Sequence, residues 1–141
     1  MATIKEKSVI IKYYDNDPPL SPQQVKELIL KSLDAEKAEN ILCIPLSDGS
    51  ALADYMVIAS GSSSRHVAGL ARKLQEKLHK NNIKDLKTEG LAQCDWVVID
   101  AGDVIIHLFR PEVREFYNIE KVWCHPPQYL TLETVDQQAQ A

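Results

Sequence analysis

Asp95-Trp96-Val97-Val98-Ile99-Asp100-Ala101-Gly102-Asp103-Val104-Ile105-Ile106-His107-Leu108-Phe109 is the stretch whose reading decides the fold. Two apolar triplets, Val97-Val98-Ile99 and Val104-Ile105-Ile106, flank Ala101-Gly102, where glycine supplies the positive φ that a tight turn requires. A loop of those two residues sets Asp100 opposite Asp103 and Trp96 opposite His107. Side chains alternate between the faces of a strand, so Val97, Ile99, Val104, Ile106 and Leu108 share one face. That face is wholly apolar and belongs to a core. The other holds Trp96, Val98, Asp100, Asp103, Ile105, His107 and Phe109, and it is the face that a partner or a second layer meets. Covering Asp100, Asp103 and His107 fully is costly, and an amphipathic aromatic within a charged rim is how protein-binding hot spots are built. Trp96 is therefore read as an interface residue, and Trp123 as core.

Working outward, helices and strands alternate. Ser21 is a suitable N-cap, Pro22 fits the first helical position, and Gln24 completes a capping box. Val25, Leu28, Ile29 and Leu33 then recur at helical spacing, with the helix fading near Glu39-Asn40. Ile41 to Leu46 predicts a strand, Ser47 to Ser50 a turn, and Tyr55 to Ala59 a strand buried on both faces. Ser60-Gly61-Ser62-Ser63-Ser64 leads into a second helix with the stripe Val67, Leu70, Ala71, Leu74 and Leu78, stopped by Asn81-Asn82. Lys84 to Glu89 predicts a weaker strand closed by Gly90. A last helix starts at Pro111 and runs to Trp123, with Phe116, Ile119 and Val122 on its apolar side. With two strands joined as a hairpin, the architecture is α/β or α+β with a mixed sheet. Residues 1–20 read as an extension in which Val9-Ile10-Ile11 offers an edge strand, 21–123 as the domain, and 124–141 as a polar tail.

The 141 residues fit one domain, and a hydrophobic content of 45% is enough for one core. No apolar run approaches the ~20 residues that cross a bilayer, which argues against a membrane partner. The N-terminus has neither a signal-peptide core nor transit-peptide character, pointing to the cytoplasm or equally to a mature organellar protein. Cys43, Cys94 and Cys124 are far apart with no Cys-x-x-Cys pair, so neither a zinc site nor a disulfide framework is expected. A formal net charge of -4 argues against gripping nucleic acid through its phosphates and for a neutral or basic protein surface as partner, and no direct sequence-specific contact with nucleic acid is expected.

Catalytic constellations are weak. The serine-glycine loop lacks the lysine and spacing of a P-loop and reads as a strand-to-helix turn, from which Arg65 and His66 could project into a groove with Glu89 and His107. His66 and His107 with Asp54, Asp100 and Asp103 could be assembled on paper into a metal or acid/base site, but Asp100 and Asp103 flank a turn instead of sharing a strand. No cofactor or metal is expected, and the chain reads as a binding module, not an enzyme.

Asp54 to Val67, Glu89-Gly90, Asp95 to Asp100, Gly102 to His107 and Glu112-Val113-Arg114, with Tyr117, Glu120-Lys121 and Trp123, resemble the signature of the Iojap, or ribosomal silencing factor, family. The likeness covers about Ser21 to Trp123. It implies a catalytically empty, nucleotidyltransferase-like core with a mixed five-stranded sheet and flanking helices. It also implies that the chain binds the fourteenth-numbered protein of the large ribosomal subunit, blocks small-subunit joining and so represses translation. The surface implied is Asp95, Trp96, Asp100, Ala101, Gly102 and Asp103; Ala101 stands where a larger apolar residue is common. A homodimer in the free state is implied as well. Large-subunit assembly, or a nucleotidyltransferase-type activity, remains as the alternative.

Overall fold

The computed structural model describes residues 19–46 and 53–123. Helix α1 (Pro22–Ala35) opens with the expected box: the Ser21 hydroxyl accepts from the Gln24 amide at 3.1 Å, and the Gln24 side chain accepts from the Ser21 amide at 2.8 Å. Strand β1 (Glu39–Pro45) is followed by β2 (Tyr55–Ser60), which pairs with it antiparallel. Helix α2 (Ser64–Lys80) crosses to the short β3 (Lys87–Glu89), and the hairpin β4 (Trp96–Asp100) and β5 (Val104–Phe109) follows. Helices α3 (Pro111–Tyr117) and α4 (Glu120–Trp123) end the described chain.

The five strands form one mixed sheet in the order β1-β2-β5-β4-β3. β2 and β5 run parallel at its centre, and every other pair is antiparallel. Both long helices lie on one face. There Val67, Leu70, Ala71, Leu74 and Leu78 of α2 meet Val97, Ile99, Val104, Ile106 and Leu108 of the hairpin, all essentially without solvent exposure. Full burial of a valine or leucine side chain is worth roughly 1.5–3 kcal/mol, so this layer carries most of the stability. A smaller second layer, Ile44, Leu46, Met56, Ile58 and Phe109, sits on the other face under Val113 and Ile119.

Several boundaries differ from the sequence expectation. α1 ends at Ala35 instead of near Glu39-Asn40, because Lys37 turns left-handed (φ 63°) and the Ala38 amide folds back onto the Leu33 carbonyl at 2.9 Å. β1 therefore starts earlier than Ile41, with a bulge between Glu39 and Leu42. The predicted strand at Lys84 shrinks to its last three residues, Lys87–Glu89.

The final helix is not continuous. Asn118 takes a left-handed conformation (φ 49°) and splits it, which leaves Phe116 79% and Val122 68% exposed instead of in the core. The expected edge strand at Val9-Ile10-Ile11, the turn Ser47 to Ser50, the tail 124–141 and the side chain of Trp123 lie outside the described residues.

The hairpin register is also corrected. Trp96 pairs with Phe109, Val98 with His107 and Asp100 with Ile105, so the two-residue turn is Gly102-Asp103, one position later than Ala101-Gly102. Ala101 closes the ladder by donating to the Val104 carbonyl at 3.0 Å. The Asp100 carboxylate accepts from the Gly102 amide at 2.9 Å, and Gly102 takes the positive φ (87°) that this turn needs. The slip moves each partner by two residues, so the side-chain faces stay as the alternation predicts.

Candidate protein-docking face

The face opposite the long helices reads as rows across the sheet. One row runs Glu89, Val98, His107, Ile58, Leu42, and the next runs Lys87, Asp100, Ile105, Met56, Ile44. Met56, Ile58 and Ile44 are buried, whereas Val98, Ile105 and His107 are half-buried. The surface left open is thus apolar at its centre and bordered mainly by carboxylates, Glu89, Asp95, Asp100 and Asp103, with Lys87 beside Asp100 at the β3 edge and Arg110 3.4 Å from Asp95.

Trp96 closes one end of this face. Its ring stacks on Phe109 (centroids 4.9 Å apart) and meets Tyr117 of α3 at 4.8 Å. Its indole N–H donates to Nδ1 of His107 at 3.0 Å, a diagonal contact across the hairpin. Trp96 is accordingly half-buried, neither a free hot spot nor a core residue. Gly90 holds it in place: with φ 91°, a Cβ there would lie 2.1 Å from the Trp96 carbonyl oxygen. The loop Gly90, Ala92, Gln93, Asp95, together with Trp96, Val113 and Tyr117, encloses an open pocket of about 340 Å³.

Burial lowers the pKa of His107 from the usual imidazole value to about 4. The geometry agrees, because Nδ1 accepts the indole proton and must itself be unprotonated. The unfolded chain takes up a proton near pH 6.5, and the folded one only near 4. The contribution of this pair is therefore complete above about pH 6.5 and is lost as the pH falls from there toward 4. We expect urea melts between pH 7 and 4 to show a loss on the order of 3 kcal/mol at most from this group. His107→Asn keeps an acceptor but has no titrating group, and should flatten that part of the profile. Identical profiles for the two proteins would remove His107 as the cause.

Two further residues position α3. Arg114 donates to the Asn40 carbonyl and the Ser60 hydroxyl, both at 2.8 Å, and to Glu120 at 3.1 Å, so it ties both short helices to the β1–β2 edge. Arg110 pairs with Glu112 at 2.7 Å and lies 3.4 Å from Asp95. These Arg110 pairs are partly exposed and add little stability.

The candidate residues of the sequence fall into separate places. Asp95 and Trp96 stand at one end of β4 and Asp100 to Asp103 at the other, roughly 16 Å away at strand rise, with Val98, Ile105 and His107 between them. Glu89 and His107 share a row, with Val98 intervening. Arg65 and His66 belong to the helical side and do not join them. His66 accepts from the Ser62 amide at 2.9 Å through Nδ1, and its Nε2 lies 2.9 Å from the Glu36 carbonyl oxygen, pinning the start of α2 to the end of α1. Ser63 caps α2 by accepting from the His66 amide, and a Cβ on Gly61 would lie 2.9 Å from Val67, so the small-residue loop is built for this turn. No group of three or more His, Cys, Asp or Glu residues that could hold a metal occurs among the described residues. No helix among them is long and apolar enough to cross a membrane.

Tyr117, Val113 and the exposed Phe116 join this face without any strand pattern announcing them. Their signal is nonetheless present: Val113, Phe116 and Tyr117 share a stripe at helical spacing, and the short run from Pro111 to Asn118 leaves too few turns to bury all of it.

The family model for the ribosomal silencing factor during starvation matches residues 19–141. The chain belongs to this family. The match runs on past Trp123, the last residue of the motif series in the sequence. A ribosomal silencing factor from Zymomonas mobilis is 50% identical over 108 residues, covering 77% of this chain and 81% of that protein. A mouse protein named for mitochondrial assembly of the large ribosomal subunit is 34% identical over 100 residues, covering 69% of this chain and 44% of its own. The crystal structure of a Chromobacterium violaceum protein superposes with a TM-score of 0.71 at 34% identity, covering 74% and 87% of the two chains.

Proposed function

We propose that this chain represses translation by docking its Trp96 face on the fourteenth-numbered protein of the large ribosomal subunit, where its bulk blocks joining of the small subunit. The coarse role, a ribosome-associated repressor of translation, is that of the family. The observation that carries the finer reading is the face itself: Trp96, Tyr117, Val98 and Ile105 form an apolar strip rimmed by Glu89, Asp95, Asp100 and Asp103. An aromatic anchor beside an apolar strip, with a border that is mainly acidic, suits a basic ribosomal protein, for which charge speeds and orients encounter. Blocking is steric and needs no chemical step, so the chain acts in the cytoplasm as a binding module and not as an enzyme. Free of the ribosome, the chain forms a homodimer.

The test is a joining assay with purified mature subunits on a density gradient. Added protein should shift particles from joined ribosomes to free subunits in proportion to its binding. Undiminished joining at saturating protein would overturn the blocking mechanism. It would instead favour a role in building the large subunit, the second reading, which rests on likeness to the mouse assembly protein.

A further inference from the structure

We propose that the solvent face of α2 binds the phosphate backbone of RNA, a second contact that rests on the large-subunit reading and lies on the side of the sheet opposite the Trp96 face. The chain is acidic overall, at -4, yet its charge is segregated. The 17 residues of α2 carry five cations (Arg65, Arg72, Lys73, Lys77 and Lys80) against the single carboxylate Glu76, a net +4. The other 124 residues carry eleven cations against nineteen carboxylates, a net -8.

At 100° per residue the five cations fall within an arc of about 140°, turned away from the buried stripe of Val67, Leu70, Ala71, Leu74 and Leu78. All five are exposed. None makes an ion pair with a carboxylate among the described residues. Lys73, Lys77 and Lys80 follow one another at the three- and four-residue spacings that place like charges side by side, with Glu76 as the one carboxylate among them.

A second observation lies on the same face. Gly69 sits inside α2 with nothing within 4 Å of where a Cβ would be, so no contact within the molecule calls for glycine. A helix-interior glycine is destabilising relative to alanine. Between Arg65 and Arg72 its bare backbone leaves room for the close approach of another chain. A polyanion that is read by its charge and not its bases fits such a surface, and phosphate contacts need no sequence-specific groove. With acidic groups around Trp96 and basic groups on α2, the molecule offers opposite charges to a basic protein and to the RNA beside it.

The test uses the full chain, a Lys73→Gln/Lys77→Gln/Lys80→Gln variant, and Trp96→Ala. Each is titrated against a short labelled RNA duplex by fluorescence anisotropy, and against purified large subunits by co-sedimentation at several salt concentrations. The triple variant should lose about tenfold or more in affinity for both. Its slope of log K on log salt should shrink by about 2–3, near one for each phosphate that is no longer neutralised. Trp96→Ala should weaken subunit binding but leave duplex binding unchanged, so failure of the docking face and failure of this proposal are separable. Gly69→Ala should melt at a higher temperature than the wild type yet bind the duplex more weakly. Wild-type affinity and salt slope in the triple variant would overturn the proposal. So would a loss that persists when the partner is ribosomal protein freed of RNA, which would assign the face to an acidic protein. Arg65→Gln/Arg72→Gln, on the same face, repeats the test should the triple variant fold poorly.

Discussion

Phe109→Ala is expected to lower the stability of the protein by about 3–5 kcal/mol, the usual cost of emptying a buried phenylalanine site. Phe109 has no solvent exposure and ends β5, within the parallel pair at the centre of the sheet. It belongs to the smaller core layer with Ile44, Leu46, Met56 and Ile58, and that layer has few side chains with which to close a cavity. The Trp96 ring, stacked 4.9 Å away, loses its support as well. Against a total of roughly 5–15 kcal/mol for a domain, such a loss leaves a marginal fold. Urea denaturation should show a much lower midpoint with a similar slope, and Phe109→Leu should recover most of the difference. A loss below about 1 kcal/mol would mean that this layer is not packed as a core.

Phe109 also marks what strand alternation leaves open in the sequence. It shares its face with Asp100 and His107, and alternation assigns it to the partner side. α3 and α4 cover only one end of that side through Val113 and Ile119, so Phe109 is buried while Val98 and Ile105 stay half open. Which end receives the cover depends on the Arg114 clasp to Asn40, 74 residues earlier in the chain, and no local pattern reports such a contact.

Elements with strong periodicity and clear caps are legible in the sequence. α2 buries the five residues its spacing predicts, and Ser21 and Gln24 form their box. Two boundaries governed by a left-handed residue are not, although the stop of α2 at Asn81-Asn82, where Asn82 is left-handed (φ 67°), is. Lys37 and Asn118 end helices at non-glycine positions, where the conformation depends on surrounding contacts and not on residue type alone. Placing Gly102 second in the two-residue loop puts the hairpin turn one residue early; Gly102 stands first in it, where its amide donates to the Asp100 carboxylate. The family motifs carry the docking residues, but their separation into two ends of one strand emerges only with the register. Composition misleads in one respect: the net charge of -4 averages a basic helix with an acidic remainder.

Trp96→Ala should weaken binding to the large subunit by at least about 2 kcal/mol, roughly thirtyfold in Kd, as truncating an aromatic anchor does. The indole lies between Tyr117 and Phe109, with its N–H committed to His107, so the free protein already holds it in one orientation. A partner that meets it pays little in side-chain entropy, and the loss on truncation is correspondingly large. Truncation also strips His107 of its donor, so stability has to be measured beside affinity. Trp96→Phe separates the two effects: it keeps a ring on Phe109 and removes the N–H, and it should bind with intermediate affinity. Asp95→Asn, at the rim, should slow association at low salt and leave dissociation nearly unchanged. Co-sedimentation of folded Trp96→Ala with large subunits at wild-type affinity would move the docking surface away from this end of the sheet. The next surface to test would then be the Asp100 to Asp103 turn, which lies at the opposite end of the same strand and carries two of the four rim carboxylates.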